Sequence, residues 1–238
     1  MNIALIGYGR MGKEIEKIAQ ERKHKIVLKI DVNNKDEFTM DNLRKADVAI
    51  EFSIPETAYS NIVKCLDSDV PVISGTTGWL SKIELIKERC HQENKSFFYA
   101  SNYSIGVNIF FKINKLLASI MNNQNQYNVD IEEIHHTKKL DAPSGTAITI
   151  AEGLLQELER KTQWDKEKEK SKDSIAIKSI RKGDVPGIHK VKYESAFDDI
   201  EIIHKAKSRK GFALGAVLAA EYIYGKTGFH TMNDMLEF

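Results

Sequence analysis

Two adjacent histidines and a nearby lysine form the densest group of polar side chains in the sequence. His135 and His136 are followed by Lys139, in a segment that runs from Glu133 to Ala147. The imidazole group titrates near neutral pH, so either histidine can donate a proton to a substrate or accept one from it. The lysine ammonium, with an ordinary pKa of about 10.4, adds a positive charge at the same place. These residue types predict proton transfer to a small, negatively charged substrate.

The residues that follow predict a binding site for an anion. Pro143 suits the first turn of a helix or the residues just before it, and Ser144 suits the N-cap. The backbone N–H groups of Gly145 and Thr146 would then point towards an anion, most simply a carboxylate. The segment therefore combines a proton donor with a place to hold an acidic substrate.

Other interpretations of this segment stay open. Adjacent histidines on a strand point to opposite faces, so one can be buried and the other solvated without any chemistry. We predict no bound metal, because neither a cysteine cluster nor an H-E-x-x-H motif accompanies the histidines. Arg209 and the segment 181–183 are further candidates for contact with an anion, although arginine and lysine are commonly surface cations.

A glycine-rich motif predicts a dinucleotide site near the start of the chain. Residues 7–12 match G-x-G-x-x-G directly after an apolar strand and at the start of a helix. In this context the glycines allow a tight turn, close approach of a pyrophosphate and close packing of helix against strand. The alternative is a glycine turn without a ligand. Asp31 lies where an acid binds the ribose 2′-hydroxyl of NAD(H), whereas Lys35 can meet the 2′-phosphate of NADP(H).

A second turn of small residues, 75–78, follows a predicted strand. Open α/β sheets bind their ligands at the carboxyl ends of the strands, so this turn is a candidate part of the same site. On its own the tetrapeptide is equally a plain turn.

Strands and helices alternate in the first half of the chain, which predicts a parallel sheet with helices on both faces. The predicted strands are Ile3–Ile6, Ile26–Ile30, Val48–Phe52, Val70–Ser74 and Ser96–Tyr99, and the predicted helices are Met11–Arg22, Glu56–Leu66 and Leu80–Glu93. Together with the glycine motif, this order predicts an α/β fold with a Rossmann-type doubly wound sheet.

The rhythm changes after residue 102, and grouped strands there predict a smaller α+β domain with a mixed or antiparallel sheet. The predicted strands are Val129–His135, Ile175–Ile180, His189–Ser195 and Asp199–Ala206, and the predicted helices are Val107–Met121, Thr146–Arg160 and Lys210–Tyr224. The charged run Asp165–Lys172 is predicted to be a solvated loop.

Composition excludes several classes of protein. The 238 residues carry a formal net charge of +1, which provides no general attraction for nucleic acid. No segment approaches the length of a membrane span or the core of a signal peptide. The two cysteines form neither a disulfide framework nor a zinc site, and free thiols suit a reducing compartment. We therefore expect a cytoplasmic protein that binds neither nucleic acid nor membrane.

Beyond these patterns, the sequence resembles the 4-hydroxy-tetrahydrodipicolinate reductase (dihydrodipicolinate reductase) family. The segment Glu-x-His-His-x-x-Lys-x-Asp-Ala-Pro-Ser-Gly-Thr-Ala, residues 133–147, carries the most specific part of the resemblance. Corroborating motifs follow in the family's order at 7–12, 75–78, 100–104, 106–108, 180–183, 187–189 and 204–209. One departure is Ile188, where many members carry glutamate.

The resemblance implies an oxidoreductase of lysine and diaminopimelate biosynthesis. It would use NADH, NADPH or both to reduce a hydroxylated cyclic imine dicarboxylate to tetrahydrodipicolinate, with loss of water. The implied domains are residues 1–103 plus 209–238, which would bind the dinucleotide, and residues 104–208, which would bind substrate and build a homotetramer. An NAD(H)-binding regulatory module, or a related Rossmann-fold amino-acid or sugar dehydrogenase, is the alternative.

The resemblance also implies a role for each site residue. His135 and Lys139 would be catalytic, and His136, Gly145, Thr146 and, from its position, Arg209 would bind substrate. The residues implied to bind the cofactor are Gly7, Tyr8, Gly9, Arg10, Met11, Gly12, Asp31, Gly75, Thr76, Thr77, Ala100, Ser101, Asn102 and Tyr103.

Overall fold

The computed structural model describes residues 1–168 and 170–238. The chain forms two units, one made of Met1–Ile105 with Arg209–Phe238 and the other of Gly106–Ser208. The C-terminal segment therefore belongs to the same unit as the glycine-rich motif.

The first unit is built on a six-stranded sheet in the order β11-β5-β4-β3-β1-β2, and every pair in it is parallel. Its strands are β1 (Asn2–Ile6), β2 (Lys25–Ile30), β3 (Val48–Glu51), β4 (Val72–Ser74), β5 (Ser96–Tyr99) and β11 (Gly228–His230). Alternate side chains of β1 pack on opposite faces: Ile3 and Leu5 on one, Ala4 and Ile6 on the other. Burial on both faces explains why these strands are continuous apolar runs.

Helices cover both faces of this sheet. One face packs against α1 (Arg10–Glu21), α7 (Lys210–Ile223) and α8 (Met232–Leu236), and the other against α2 (Met40–Leu43), α3 (Pro55–Asp67) and α4 (Ile83–Gln92). Gly215 lets α7 pack closely against the backbone at Tyr103, since a Cβ at Gly215 would lie 1.7 Å from the carbonyl oxygen of Tyr103. The predicted Rossmann-type doubly wound sheet is confirmed.

The second unit contains a mixed five-stranded sheet in the order β10-β9-β6-β8-β7. Its strands are β6 (Asn128–His135), β7 (Gln163–Lys166), β8 (Ser174–Arg181), β9 (Ile188–Glu194) and β10 (Asp199–Lys205). β6 pairs parallel with β8 and antiparallel with β9. Apolar residues of α5 (Ile105–Met121) and α6 (Gly145–Glu157) form the core together with the sheet. The predicted α+β architecture with a mixed sheet is therefore confirmed.

The charged run at 165–172 corrects one prediction. Asp165 and Lys166 end strand β7 and pair with β8, so the solvated loop is wrong at those positions. Asp165 is buried, and its carboxylate accepts a hydrogen bond from the backbone N–H of Lys170. Glu169, in the same run, lies outside the described residues.

Besides β7, sequence reasoning missed three further short elements: α2, β11 and α8. Each is five residues or shorter, so none has a measurable helical or alternating period. None of the helices in residues 1–168 and 170–238 has both the length and the apolar composition of a membrane span.

Candidate active site

The glycine-rich turn joins β1 to α1 in the first unit. Gly7 has a φ of +94°, and a Cβ there would lie 2.1 Å from the carbonyl oxygen of Phe52. A Cβ at Gly12 would lie 2.4 Å from the carbonyl oxygen of Gly7. Both positions therefore require glycine because other backbone segments pack directly against them.

Gly9 differs from the other two glycines because its missing side chain leaves open space. No atom lies within 4 Å of a Cβ built at Gly9. Gly9 is the N-cap of α1 and has no side chain to cap the first N–H groups of the helix. The positive end of the helix dipole and these N–H groups thus meet an open approach, which fits a pyrophosphate.

A cavity of about 410 Å³ lies at this helix end. Its lining brings together six of the residues predicted to bind the cofactor: Gly9, Arg10, Met11, Gly75, Thr76 and Thr77. Phe52, Ser53 and Pro55, which sequence reasoning missed, complete the lining. They follow β3, the strand between β1 and β4, so the parallel topology places all three turns at one edge of the sheet.

Tyr8 and Asp31 lie outside the described lining of this cavity. The Tyr8 hydroxyl donates a hydrogen bond to Glu16, and Lys29 lies 5.1 Å from the centre of its ring. Asp31 is exposed just after β2, and its carboxylate accepts a hydrogen bond from the backbone N–H of Val32. Its position at the end of β2 suits contact with a ribose, which stays a prediction.

The predicted cofactor segment 100–103 is also absent from the described lining. Ala100 is buried, Ser101 is exposed and Asn102 is half-buried. The Tyr103 side chain is fully buried, packs against Phe98 and donates a hydrogen bond to the carbonyl oxygen of Ser74 at 2.8 Å. The Tyr103 side chain therefore belongs to the core of the first unit, and contact of this segment with the cofactor stays a prediction.

In the second unit, Glu133 is the centre of the predicted chemical segment. The side chain is fully buried, and its Oε2 lies 3.2 Å from His135 Nδ1. Its Oε1 accepts hydrogen bonds from the Ser144 backbone N–H and from the Arg181 guanidinium, each at 3.1 Å. Sequence reasoning included Glu133 in the motif but assigned it no role.

The surroundings of Glu133 favour its ionised form. Burial raises the pKa of Glu133, but favourable interactions with His135, Ser144 and Ser179 outweigh burial and hold the pKa well below its usual value. The carboxylate is therefore ionised at neutral pH, and its negative charge lies beside the His135 imidazole.

His189 is a second buried histidine in contact with this group. It pairs with Glu133 across β6 and β9, and its ring lies 5.0 Å from that of His135 in an edge-on arrangement. Burial, with a smaller contribution from the charge of His135, lowers the pKa of His189 to about 3. His189 is thus neutral at physiological pH and contacts Ser144 Oγ at 3.3 Å.

The predicted helix entry is confirmed. Ser144 is the N-cap of α6, and its Oγ accepts a hydrogen bond from the Ala147 N–H at 3.2 Å. Gly145 and Thr146 form the first turn, where helical N–H groups lack acceptors within the helix. Gly145 is exposed, and nothing lies within 4 Å of a Cβ built there, so the helix end is accessible to an anion.

The predicted basic residues lie in different settings. The Lys139 ammonium forms an ion pair with Asp141 at 2.7 Å. His136 follows the end of β6 and is half-buried, and its Nδ1 has no hydrogen-bond partner in the described part of the chain. Arg181 binds Glu133 and the carbonyl oxygens of Lys139 and Asp141, so it acts as a brace within the motif. Arg209 is exposed at the start of α7, in the first unit.

Glu133, His135 and His189 bring three ligand-type atoms within 4.8 Å of one another, which raises the question of a metal. The carboxylate already carries the positive guanidinium of Arg181 on its other oxygen. A divalent cation would add two further positive charges beside that group in a buried setting, which is electrostatically unfavourable. We therefore keep the prediction that this site functions without metal.

Comparison with known proteins decides the family. The chain matches the family model for the C-terminus of dihydrodipicolinate reductase over residues 106–236 and the model for its N-terminus over residues 1–103. This chain belongs to the dihydrodipicolinate reductase family. The 4-hydroxy-tetrahydrodipicolinate reductase of Christiangramia forsetii is 52% identical over 238 residues, covering 99% of this chain and 98% of the relative. The enzyme of the same name from Lawsonia intracellularis is 36% identical, covering 99% of both.

A solved structure of the same family has the same fold. The dipicolinate-bound dihydrodipicolinate reductase of Paenisporosarcina superposes with a TM-score of 0.80 and covers 98% of each chain. The two sequences are only 20% identical, so this likeness concerns the fold. The resemblance inferred from the motifs is thus confirmed over the whole chain.

Proposed function

We propose that this protein is a 4-hydroxy-tetrahydrodipicolinate reductase. It would use NADH or NADPH to reduce (2S,4S)-4-hydroxy-2,3,4,5-tetrahydrodipicolinate to tetrahydrodipicolinate, with loss of water, in lysine and diaminopimelate biosynthesis. The observation that carries the proposal is the 52% identity to a relative of that name over nearly the full length of both chains.

The first unit has features that fit the dinucleotide. We propose that the N–H groups at the start of α1 and the open backbone at Gly9 hold the pyrophosphate. Gly75, Thr76 and Thr77 line the same cavity and would contact the rest of the dinucleotide. When bound, the nicotinamide supplies the hydride.

His135 is proposed as the proton donor. Loss of water from the substrate leaves a conjugated imine, and hydride addition to it places negative charge on the carbon–nitrogen system. A proton must then reach the neighbouring carbon. Since Glu133 lies beside Nδ1 of His135, the proton would leave from Nε2. The Glu133 carboxylate orients the ring and stabilises its protonated form through its charge.

The remaining substrate contacts follow from the charge of the dicarboxylate. We propose that one carboxylate binds at the Gly145 and Thr146 N–H groups, where the helix dipole favours negative charge. Lys139 would bind the substrate as a second cation and proton donor, exchanging its partner Asp141 for the ligand. His136 and Arg209 are retained as proposed substrate contacts.

Initial rates test this function. The substrate is generated enzymatically, and the absorbance of NADH and of NADPH is followed in parallel assays. We expect turnover with at least one nucleotide and competitive inhibition by a flat pyridine dicarboxylate. Folded protein that turns over neither nucleotide would contradict the proposal.

We also propose a homo-oligomer, a tetramer by family resemblance. Ile109, Ile113, Leu116 and Ile120 form an apolar stripe on α5, and the last two are 60% and 61% exposed. Such a stripe is costly in water unless a partner covers it. Light scattering should give a mass of several chains, and the Leu116→Glu variant should dissociate the assembly.

A cytoplasmic location is the last part of the proposal. Cys65 and Cys90 are both buried and unpaired, as suits a reducing compartment. Cell fractionation would place the protein, and recovery outside the cytoplasm would contradict this location.

A further inference from the structure

A second buried carboxylate, Glu51, contacts two residues that line the cavity at the start of α1. It is the last residue of β3 and is fully buried. In register it lies between Ile6 of β1 and Ser74 of β4. It is therefore at the carboxyl end of a central strand, at the same sheet edge as the three turns that line the cavity.

The hydrogen bonds of Glu51 connect two of those turns. Its Oε1 accepts from the Ser53 N–H at 3.0 Å, from the Ser53 hydroxyl and from the Thr76 hydroxyl at 3.0 Å. The Ser53 N–H also lies 2.9 Å from Thr76 Oγ1. On the other oxygen, Oε2 accepts from the Ser74 hydroxyl at 2.6 Å. Both Ser53 and Thr76 line the cavity, so one carboxylate fixes side chains from two separate turns.

The Glu51 carboxylate accepts hydrogen bonds from neutral donors. Across residues 1–168 and 170–238, no lysine, arginine or histidine forms an ion pair with it. Burying a carboxylate without a cation is costly, and an apolar residue at the end of β3 would be cheaper for stability alone. Glu51 therefore lowers the stability of the fold but holds the two turns in place. It does so through charge-assisted hydrogen bonds, which are stronger than hydrogen bonds between neutral groups.

We propose that Glu51 is a positioning residue of the nucleotide site. Its carboxylate holds the turns after β3 and β4, through Ser53 and Thr76, in the conformation that receives the dinucleotide. The inference rests on the proposed function, because it takes the cavity lined by these turns as the place where NAD(P)H binds. Sequence reasoning missed Glu51 because this residue lies outside the motifs recognised in the sequence.

The test compares Glu51→Gln with a matched acid-to-amide change at the opposite end of the same strand. Asp47 precedes β3, is half-buried and accepts a hydrogen bond from the Asn2 backbone at 2.6 Å. Affinity for NADH and NADPH is measured by nucleotide fluorescence, without substrate. We expect Glu51→Gln to weaken binding about tenfold and Asp47→Asn to change it by less than about twofold.

Hydrogen exchange supplies a readout that is independent of the ligand. In the nucleotide-free protein, amides of residues 52–57 and 75–78 should exchange faster in Glu51→Gln than in Asp47→Asn. Equal nucleotide affinity in the two variants, or equal exchange at these amides, would overturn the proposal. If Glu51→Gln does not fold, Ser53→Ala is tested instead. This variant should accelerate amide exchange at residues 75–78, a turn to which Ser53 does not belong. Unchanged exchange at 75–78 would overturn the proposal.

The outcomes separate this inference from the proposed function. Wild-type protein that binds nucleotide but shows no turnover contradicts the function alone, and the Glu51 comparison still decides the inference. Turnover by wild type with normal binding by Glu51→Gln contradicts the inference alone. Absence of nucleotide binding by wild type overturns both.

Discussion

Two buried glutamates, one in each unit, are bound by different kinds of partner. Glu51 in the first unit accepts hydrogen bonds from hydroxyl and backbone donors, whereas Glu133 in the second lies against two imidazoles and a guanidinium. The neutral donors to Glu51 lie at the end of β4 and in two turns that line the cavity, so Glu51 fixes local backbone, which suits a binding site. Cationic and titratable partners make Glu133 an organiser of charge, which suits a site that moves protons. This comparison is the basis for proposing that Glu51 serves nucleotide binding and Glu133 serves proton transfer.

The largest effect is expected from the proposed proton donors. His135→Ala and Lys139→Ala should each lower kcat by about 10²- to 10⁴-fold, because each removes a group that donates a proton to the substrate. Nucleotide affinity should be retained, since both residues lie in the second unit. Steady-state rates and nucleotide fluorescence measure the two quantities. Wild-type rates in both variants would contradict the site assignment.

Glu133→Gln should produce a smaller loss that is still kinetic. The amide keeps the shape of the side chain but removes the charge beside His135, so we expect kcat to fall by about 10²-fold and its pH profile to change. Glu132→Gln on the same strand is the matched control, since its partner is Lys178, at 3.8 Å. If the two variants have the same kcat and pH profile, Glu133 has only a structural role.

His189 should make stability depend on pH. The folded pKa of about 3 lies below the ordinary value of 6.5, so the unfolded chain takes up a proton first as the pH falls. The stabilisation is complete above pH 6.5 and is lost progressively towards pH 3. Between pH 7 and pH 5, this residue should cost about 2 kcal/mol of unfolding free energy. Denaturant titrations should show a correspondingly smaller loss in His189→Gln, and equal losses would refute the assignment.

The smallest effect is expected from chelation. Because Arg181 already neutralises Glu133, EDTA should change the rate by less than about twofold. A loss of activity that added Zn²⁺ restores would instead establish a metal at Glu133, His135 and His189.

The sequence revealed those parts of the site that are local in the chain. The motif 133–147 places His135, Lys139 and the Ser144 cap within one segment. The glycine turn 7–12 could be recognised because the strand before it and the helix after it are adjacent in the sequence. Glu51 became visible only when β3 and β4 paired and brought Ser53 and Thr76 together. His189 was missed as a site residue for the same reason, because only the pairing of β9 with β6 brings it to Glu133.

The strands and helices were predicted well where the apolar residues follow a clear pattern along the chain. They were predicted poorly where contacts between distant segments determine the structure. The strands of the parallel sheet are apolar runs, and their alternation with helices predicted that they pair in parallel. β7 was missed because its charged residues resemble a loop, yet pairing with β8 makes it a strand. Burial of the Tyr103 side chain was also not foreseen, because packing against Phe98 and a hydrogen bond to Ser74 bring it into the core.

Measuring nucleotide affinity and turnover side by side in Glu51→Gln and Glu133→Gln tests the division between the two units most directly. A crossed result is expected: weaker NAD(P)H binding for Glu51→Gln with kcat little changed, and lower kcat for Glu133→Gln with binding intact. If both variants change the same parameter by the same factor, the two carboxylates do not divide binding from chemistry.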